Sequence, residues 1–177
     1  MTDDHLLDTV RIRELLEELG RRLVERGIEA RMFVVGGAAM ALAFDRKRVT
    51  RDIDAVFVPK SEVYDEARLM SAAVGLPEDW LNDAVKGLMP DRSDPIEGST
   101  SFTAPGIHVG VASAEYLFAM KAHAARQETD ADDLRCLMGI LGIESVGEAL
   151  ALVERFYSPV RLRPTTQFLL EDLLSGP

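Results

Sequence analysis

Asp52 and Asp54, separated by one isoleucine, are the residues of this chain with the clearest chemical potential. On a strand their carboxylates would leave one face roughly 7 Å apart, while Ile53 turns the other way into a core. Two carboxylates side by side repel unless a cation lies between them. Magnesium takes hard oxygen ligands, commonly one or two carboxylates together with substrate phosphates. Two such ions about 3.5–4 Å apart clamp the attacking and leaving oxygens of a displacement at phosphorus. Gly36-Gly37 precedes the pair and ends the apolar run at residues 32–35 within FVVGGAAMAL. A strand that stops at glycines and opens a helix lets backbone approach a ligand and directs free N–H groups at an anion. Each feature alone is commonplace, since Gly-Gly often marks only a turn and Asp-x-Asp recurs in acidic chains. In the order strand, Gly-Gly, helix, strand, Asp-x-Asp, they suit transfer of a phosphorus-containing group.

The elements that must position these residues follow from hydrophobic spacing. Residues 5–27 carry Leu6, Leu7, Val10, Leu15, Leu16, Leu19 and Leu23 at helical intervals, with charges of opposite sign on the other face. Residues 32–35 predict a strand, 38–44 a short helix of small residues, and 52–58 (DIDAVFV) a second strand. A helix runs from Lys60 and Ser61 to about residue 73, with Ser61 as its N-cap. Residues 75–105 are irregular, with Pro77, Pro90, Pro95 and Pro105, a short helix at 78–88 and a Ser/Thr-rich stretch at 99–103. Residues 107–111 predict a third strand, followed by helices at 113–126, 130–141, 144–157 and 164–174. The fold class expected is α/β (α+β): an α/β core over residues 1–112 and a helical part over 113–177 packed on it as one compact unit.

The chain has 177 residues, 47 % hydrophobic and 28 % charged, an ordinary globular composition that excludes wholesale disorder. Thirty acidic against 20 basic residues give a net charge of −10, which excludes a broad polyanion binder. Nucleic acid could be held only by a local basic patch, and Arg46-Lys47-Arg48 with Arg51 forms one just ahead of the Asp pair. Cys136 is the single cysteine, so no internal disulfide or cysteine-rich zinc site can form. It lies in DDLRCLMGIL, an apolar helical pattern that makes it a small core residue. His5 and His123 have no partners at metal-ligand spacing. Trp80 reads as the anchor of a short helix, with Asn82 and Asp83 as candidates for a substrate-side loop. The acidic start MTDDHLLD and the lack of any apolar run near ~18 residues lead us to expect a soluble cytoplasmic protein without a membrane partner.

The block VVGGAAMALAFDRKRVTRDIDAVF resembles the signature of the DNA polymerase β-like nucleotidyltransferase superfamily. Its Gly-Gly-Ala turn and RVTRDIDAVF lead-in look most like the AbiEii/MenT branch of toxin-type bacterial nucleotidyltransferases. VASAEYLFAMKAHAARQETDADDLRCL and PEDWLNDAVKGL are similar to further blocks of that branch, so the resemblance covers about residues 31–141. It implies a nucleotidyltransferase fold, a small mixed sheet flanked by helices with a helical C-terminal half. It also implies that Gly36 and Gly37, with Ala38 after them, shape the turn for an NTP triphosphate. Asp52 and Asp54 would hold Mg2+ or Mn2+, Lys121 would reach substrate phosphates, and Asp133 would be a further acidic site residue. Arg48 and Thr50, just before the pair, join the candidate nucleotide-binding set. The acceptor implied is RNA such as a tRNA 3′ end, and the partner a cognate antitoxin.

The residues themselves leave alternatives open. Lys121 rises from the small-residue surface of LFAMKAHAA, either to meet phosphate or to lay its stem over apolar neighbours. Arg126, Asp130 and Asp132 are either site residues or a solvated salt-bridge network. Many superfamily members carry Ser after the turn glycine, where this chain has Ala38 and Ala39. A third strand carboxylate often joins the pair, yet GIHVGV has none and offers only His108 as a proton acceptor. The acceptor could instead be a protein side chain or a small molecule such as an aminoglycoside, or the fold could be a catalytically degenerate binding protein.

Overall fold

The computed structural model describes residues 6–45, 47–95 and 100–175. His5, Arg46, Ser99 and the first residues of the acidic N-terminus lie outside the described residues. The chain divides into two compact units, residues 1–86 with 97–112 and residues 87–96 with 113–177. The segment at 87–96 therefore groups with the helical residues rather than with the rest of 1–112.

The first unit is an open mixed sheet of five strands with order β3-β2-β1-β5-β4. The strands are β1 (Ala30–Val34), β2 (Ile53–Val58), β3 (Leu81–Asn82), β4 (Thr100–Ala104) and β5 (Ile107–Val111). β1 runs antiparallel to β2 and parallel to β5, while β2 runs parallel to β3 and β4 antiparallel to β5. Alternation sorts the strands into two faces. Ala30, Met32, Val34, Ile53, Ala55, Phe57, Ile107, Val109 and Val111 are buried on one face, which meets α1 (Thr9–Glu25) and α3 (Lys60–Val74). Arg31, Val58 and His108 stand exposed on the other.

Asp8 caps α1 by accepting from Arg11 N–H, and α1 buries Leu15, Leu16, Leu19 and Leu23 as expected, together with Ile12; Val10 is exposed, and Leu6 and Leu7 precede the helix. Gly20 within this helix sits against the β4–β5 turn. That turn is the two-residue Pro105-Gly106 connection, with Gly106 at φ 78°, and the Pro-Gly pair matches the dihedrals it needs. β4 is thus a strand where a Ser/Thr-rich irregular stretch was expected. The expected helix at 78–88 is also replaced, by β3 and a 3-10 turn at Ala84–Leu88. Ile53 N–H donates to Trp80 O at 2.7 Å and Trp80 Nε1 donates to Ala67 O at 2.9 Å. Pairing on the edge of β2 and burial of the indole outweigh local helix propensity. Trp80 is an anchor, as expected, but of α3 against an edge strand.

Ser61 does not cap α3, which starts one residue earlier at Lys60, after Pro59. The short helix after β1 starts at the glycines, with α2 (Gly36–Ala39) continuing as a π-helical turn at Met40–Phe44. Thr9 Oγ1 donates to Ala41 O at 2.8 Å, and Asp45 N–H reaches past it to Met40 O at 2.8 Å. A side chain that takes one carbonyl of the ladder shifts the next bond to i→i+5, which is a π turn.

The second unit is helical, with α4 (Ala114–Ala124), α5 (Gln127–Leu141), α6 (Val146–Phe156) and α7 (Pro164–Ser175). α4 is central, contacts the other three, and buries every residue from Tyr116 to His123. Ser113 caps it, and Asp94 holds Ser113 through its N–H (2.7 Å) and its hydroxyl (2.8 Å). Arg161 binds Met89 O at 2.9 Å and Asp91 at 2.7 Å, and Tyr157 donates to Leu88 O, so residues 88–94 are strapped to the helices. Among the described residues no single helix is long and apolar enough to cross a membrane. Cys136 is half-buried rather than a full core residue.

The Gly20 packing gives a prediction whose sign opposes helix propensity. Alanine favours a helix interior by about 0.8–1 kcal/mol over glycine. Its methyl at position 20, however, would run into the Pro105 carbonyl oxygen and lie 2.8 Å from Ile107 Cγ2. Overpacking of this kind costs about 1–3 kcal/mol. Gly20→Ala should lower the Tm in thermal denaturation; an unchanged or higher Tm would contradict this packing.

Candidate active site

The antiparallel pairing of β1 and β2 brings the end of one strand beside the start of the other. Val34 faces Ala55, and Val35 N–H donates to Asp54 O at 2.9 Å. The glycine turn and the Asp pair therefore lie on the same end of the sheet. Gly36 has φ 64°, a conformation that favours glycine, and a Cβ there would stand 2.9 Å from Asp54 Oδ2. A Cβ on Gly37 would stand 2.7 Å from Thr50 Oγ1. The absence of both side chains is what lets Asp54 and Thr50 close on the turn. Ala38 is fully buried.

Asp54 is the second residue of β2, while Asp52 occupies the bend just before it, and the buried Ile53 separates them. Asp52 is thus one residue off the strand expected at 52–58. Thr50 Oγ1 donates to Asp52 O at 3.2 Å, and Thr50 and Leu7 exchange backbone hydrogen bonds of 2.7 and 3.0 Å. Asn82 faces Asp54 in register and donates from Nδ2 to Asp52 Oδ2 at 3.3 Å. Burial raises the Asp52 carboxyl above the ordinary carboxylate range; the Asn82 amide opposes that shift and the Asp79 charge adds to it. Sequence reading placed Asn82 only in a candidate loop. Its role depends on β3, a two-residue strand too short to leave a periodic signal.

The structure thus brings together Gly36, Gly37, Thr50, Asp52, Asp54 and Asn82. Arg48 is half-buried and donates from Nη1 to Val49 O at 3.1 Å, while Lys47 and Arg51 are exposed. His108 does not belong to this group. It lies in register with Arg31, in the row of Val58, at the other end of the sheet, and its Nδ1 is 3.3 Å from Thr103 Oγ1. Beside Val34 the third strand presents Val111 and Ala112, so it supplies no carboxylate, as its sequence requires.

Lys121 and Asp133 lie in the second unit and bind each other. Lys121 Nζ is 2.7 Å from Asp130 Oδ1 and 2.8 Å from Asp133 Oδ2, and all three side chains are more than nine-tenths buried. Arg126, Asp130 and Asp132 therefore do not share one solvated network. Asp130 is inside, with exposed Arg126 at 3.6 Å, whereas Asp132 is fully exposed and pairs with Arg135. His123 stacks on Tyr157 at 4.0 Å, and burial, reinforced by Arg163 and Arg161, pushes its pKa down. Among the described residues no group of three or more His, Cys, Asp or Glu is placed to hold a metal ion.

A family model described as "nucleotidyl transferase of unknown function (DUF2204)" matches residues 12–87. The match spans most of α1, the glycine turn, the Asp pair and Asn82 and ends before Lys121. It supports a nucleotidyltransferase family and points to nucleotidyltransferase activity, without distinguishing the AbiEii/MenT-like branch. No curated protein and no solved structure matches the chain.

The Lys121 triad carries a stability prediction of its own. Removing one partner of a buried ion pair leaves an uncompensated charge and costs about 3–5 kcal/mol. Lys121→Met should lower unfolding free energy by about that amount in urea denaturation, with Asp130 and Asp133 left facing each other. A loss below about 1 kcal/mol would show that the carboxylates are solvated.

Proposed function

We propose that this protein is a magnesium-dependent nucleotidyltransferase that moves a nucleoside monophosphate from an NTP to a hydroxyl of RNA, such as a tRNA 3′ end. The observation that carries this reading is the glycine turn closed on Asp54 and Thr50, with Asp52 and Asn82 at the same end of the sheet. Support for a toxin-like role with a cognate antitoxin comes from the AbiEii/MenT resemblance alone.

The donor set fits magnesium. One or two carboxylates plus substrate phosphates are its usual protein-side ligands, and Asp52 and Asp54 supply hard oxygens. Burial makes the Asp52 anion costly, a cost that a cation beside it offsets. The bound ion would supply charge neutralisation of the triphosphate and lower the pKa of the attacking hydroxyl. Backbone N–H groups of the Gly36-Gly37 turn orient the phosphates. Asn82 fixes one Asp52 oxygen; a phosphate-directed role for Lys121 is supported by the AbiEii/MenT resemblance alone. In the transfer, the acceptor oxygen bonds to the α-phosphorus, the bond from that phosphorus to the β-phosphate oxygen breaks, and pyrophosphate leaves. The hydroxyl proton passes to a carboxylate oxygen of the pair.

One observation favours a second reading. Ala38 offers no hydroxyl and the β5 end beside Val34 offers no carboxylate, as in a degenerate fold that binds nucleotide without transferring it. The two readings separate when the protein is incubated with magnesium, each labelled NTP, and separate RNA, protein and small-molecule pools. Label should enter RNA only, and Asp52→Ala should reduce it to background while circular dichroism stays that of the parent. Label confined to the protein pool would defeat the RNA acceptor. A magnesium-dependent thermal shift with NTP but no transfer would select the binding reading.

A further inference from the structure

We propose that Leu7 and Thr9 form a latch that shapes the candidate nucleotide site from outside it, with Thr9 as its positioning residue. What the latch serves rests on the nucleotidyltransferase reading, whereas the latch itself consists of hydrogen bonds between distant parts of the first unit.

The stretch of chain that joins the glycine turn to the Asp pair leaves the helical run at Ala41 and returns at Thr50. Bonds such as Asp45 N–H to Met40 O at 2.8 Å and Arg48 N–H to Asp45 O at 2.9 Å tie this stretch to itself. Leu7 and Thr9, separated only by Asp8, tie both of its ends to the start of α1. Thr9 Oγ1 donates to Ala41 O at 2.8 Å. Leu7 exchanges backbone bonds of 2.7 and 3.0 Å with Thr50, and its own side chain is anchored in the core.

Each grip acts on a different wall of the site. At the first, Thr50 Oγ1 closes on Gly37, where a Cβ would stand 2.7 Å away, and donates to Asp52 O at 3.2 Å. At the second, the Ala41 carbonyl belongs to the helical run that starts at Gly36. With that carbonyl taken by Thr9, Asp45 N–H turns to Met40 O and the run ends as a π turn. Without the hydroxyl the ladder can close on Ala41 O, the i→i+4 bond of an α turn. The outgoing chain would then leave at a different angle on its way to Thr50 and Asp52. Thr9 is not the residue that starts its own helix, because Asp8 caps α1 by accepting from Arg11 N–H at 2.8 Å. A hydroxyl that α1 does not need, yet which sets the winding behind the glycine turn, is a positioning group. π turns inside helices frequently lie at functional sites.

Phosphate binding and the turn can be read separately. Magnesium tripolyphosphate, which carries the triphosphate without a base, is titrated into the full chain by calorimetry. The scalar coupling across the hydrogen bond from Asp45 N–H to the Met40 carbonyl is followed by NMR. Thr9→Val keeps the β-branched shape and removes the hydroxyl. It should move that coupling to the Ala41 carbonyl and raise the Kd for tripolyphosphate about fivefold. Thr9→Ser should restore both, and Thr9→Ala should repeat the valine result without the methyl that replaces the hydroxyl. Asp8→Ala is the control for helix stability: it removes the cap of α1 and should lower the Tm, while the Kd stays that of the parent. The latch is overturned if folded Thr9→Val binds tripolyphosphate as the parent does or keeps the Asp45–Met40 coupling. It is also overturned if Asp8→Ala weakens binding equally, since the stability of α1 would then account for the effect. Failure of the active-site reading looks different: the parent itself would show no magnesium-dependent binding of tripolyphosphate, and the positioning role would fall with it.

Discussion

The candidate site depends on one close approach, that of the Asp54 carboxylate to the Cα of Gly36. Antiparallel pairing fixes the start of β2 beside the end of β1, and the Val35–Asp54 backbone bond closes that corner. Any side chain at position 36 would meet Asp54 Oδ2, and the backbone there already requires a left-handed conformation. The same logic places Thr50 over Gly37. Glycine is thus used twice for space and once for conformation, and backbone amides and carboxylates come together without intervening side chains. Such an arrangement suits a ligand that carries both phosphate groups and a metal ion.

The two units handle charge differently. In the first, Asp52 is half-buried and steadied by the Asn82 amide. In the second, Lys121 is enclosed with Asp130 and Asp133, and the ammonium is matched by two carboxylates inside a helical core. Breaking such a triad is costly because the remaining charges have no water to turn to. The strap at residues 88–94 shows how far this unit reaches back along the chain. Tyr157, Arg161 and Ser113 hold it through carbonyls and two aspartates. The unit boundary therefore does not follow chain order.

Much of this was legible in the residues. The leucine stripe of α1, the apolar cores of β1, β2 and β5, and the four C-terminal helices all follow from spacing that burial enforces. Gly-Gly followed by Asp-Ile-Asp marked the candidate site, and the Asp pair does flank a buried Ile53. What escaped was short or non-local. β3 has two residues and is held by Trp80 O and by register with Asp54, neither of which has a periodic signature. β4 was concealed by its Ser and Thr content, although the Pro105-Gly106 pair before Ile107 was a hairpin signal that could have exposed it. The π turn at Met40–Phe44 depends on a hydroxyl from Thr9, 32 positions away.

Sequence alone determined the chemical types and their local order: glycines where backbone must come close, carboxylates two apart around a core residue, and a net charge too negative for a general polyanion binder. Those properties are local or additive, so a linear reading can recover them. Only the tertiary structure decided which groups act together. It joined Asn82 to Asp52, sent His108 to the far end of the sheet, and collected two lysines on Asp83. It also enclosed Lys121 between two aspartates instead of leaving it on a surface. Each of these depends on strand order, register or burial, and such contacts between distant residues are set by the packing of the whole chain rather than by any segment of it.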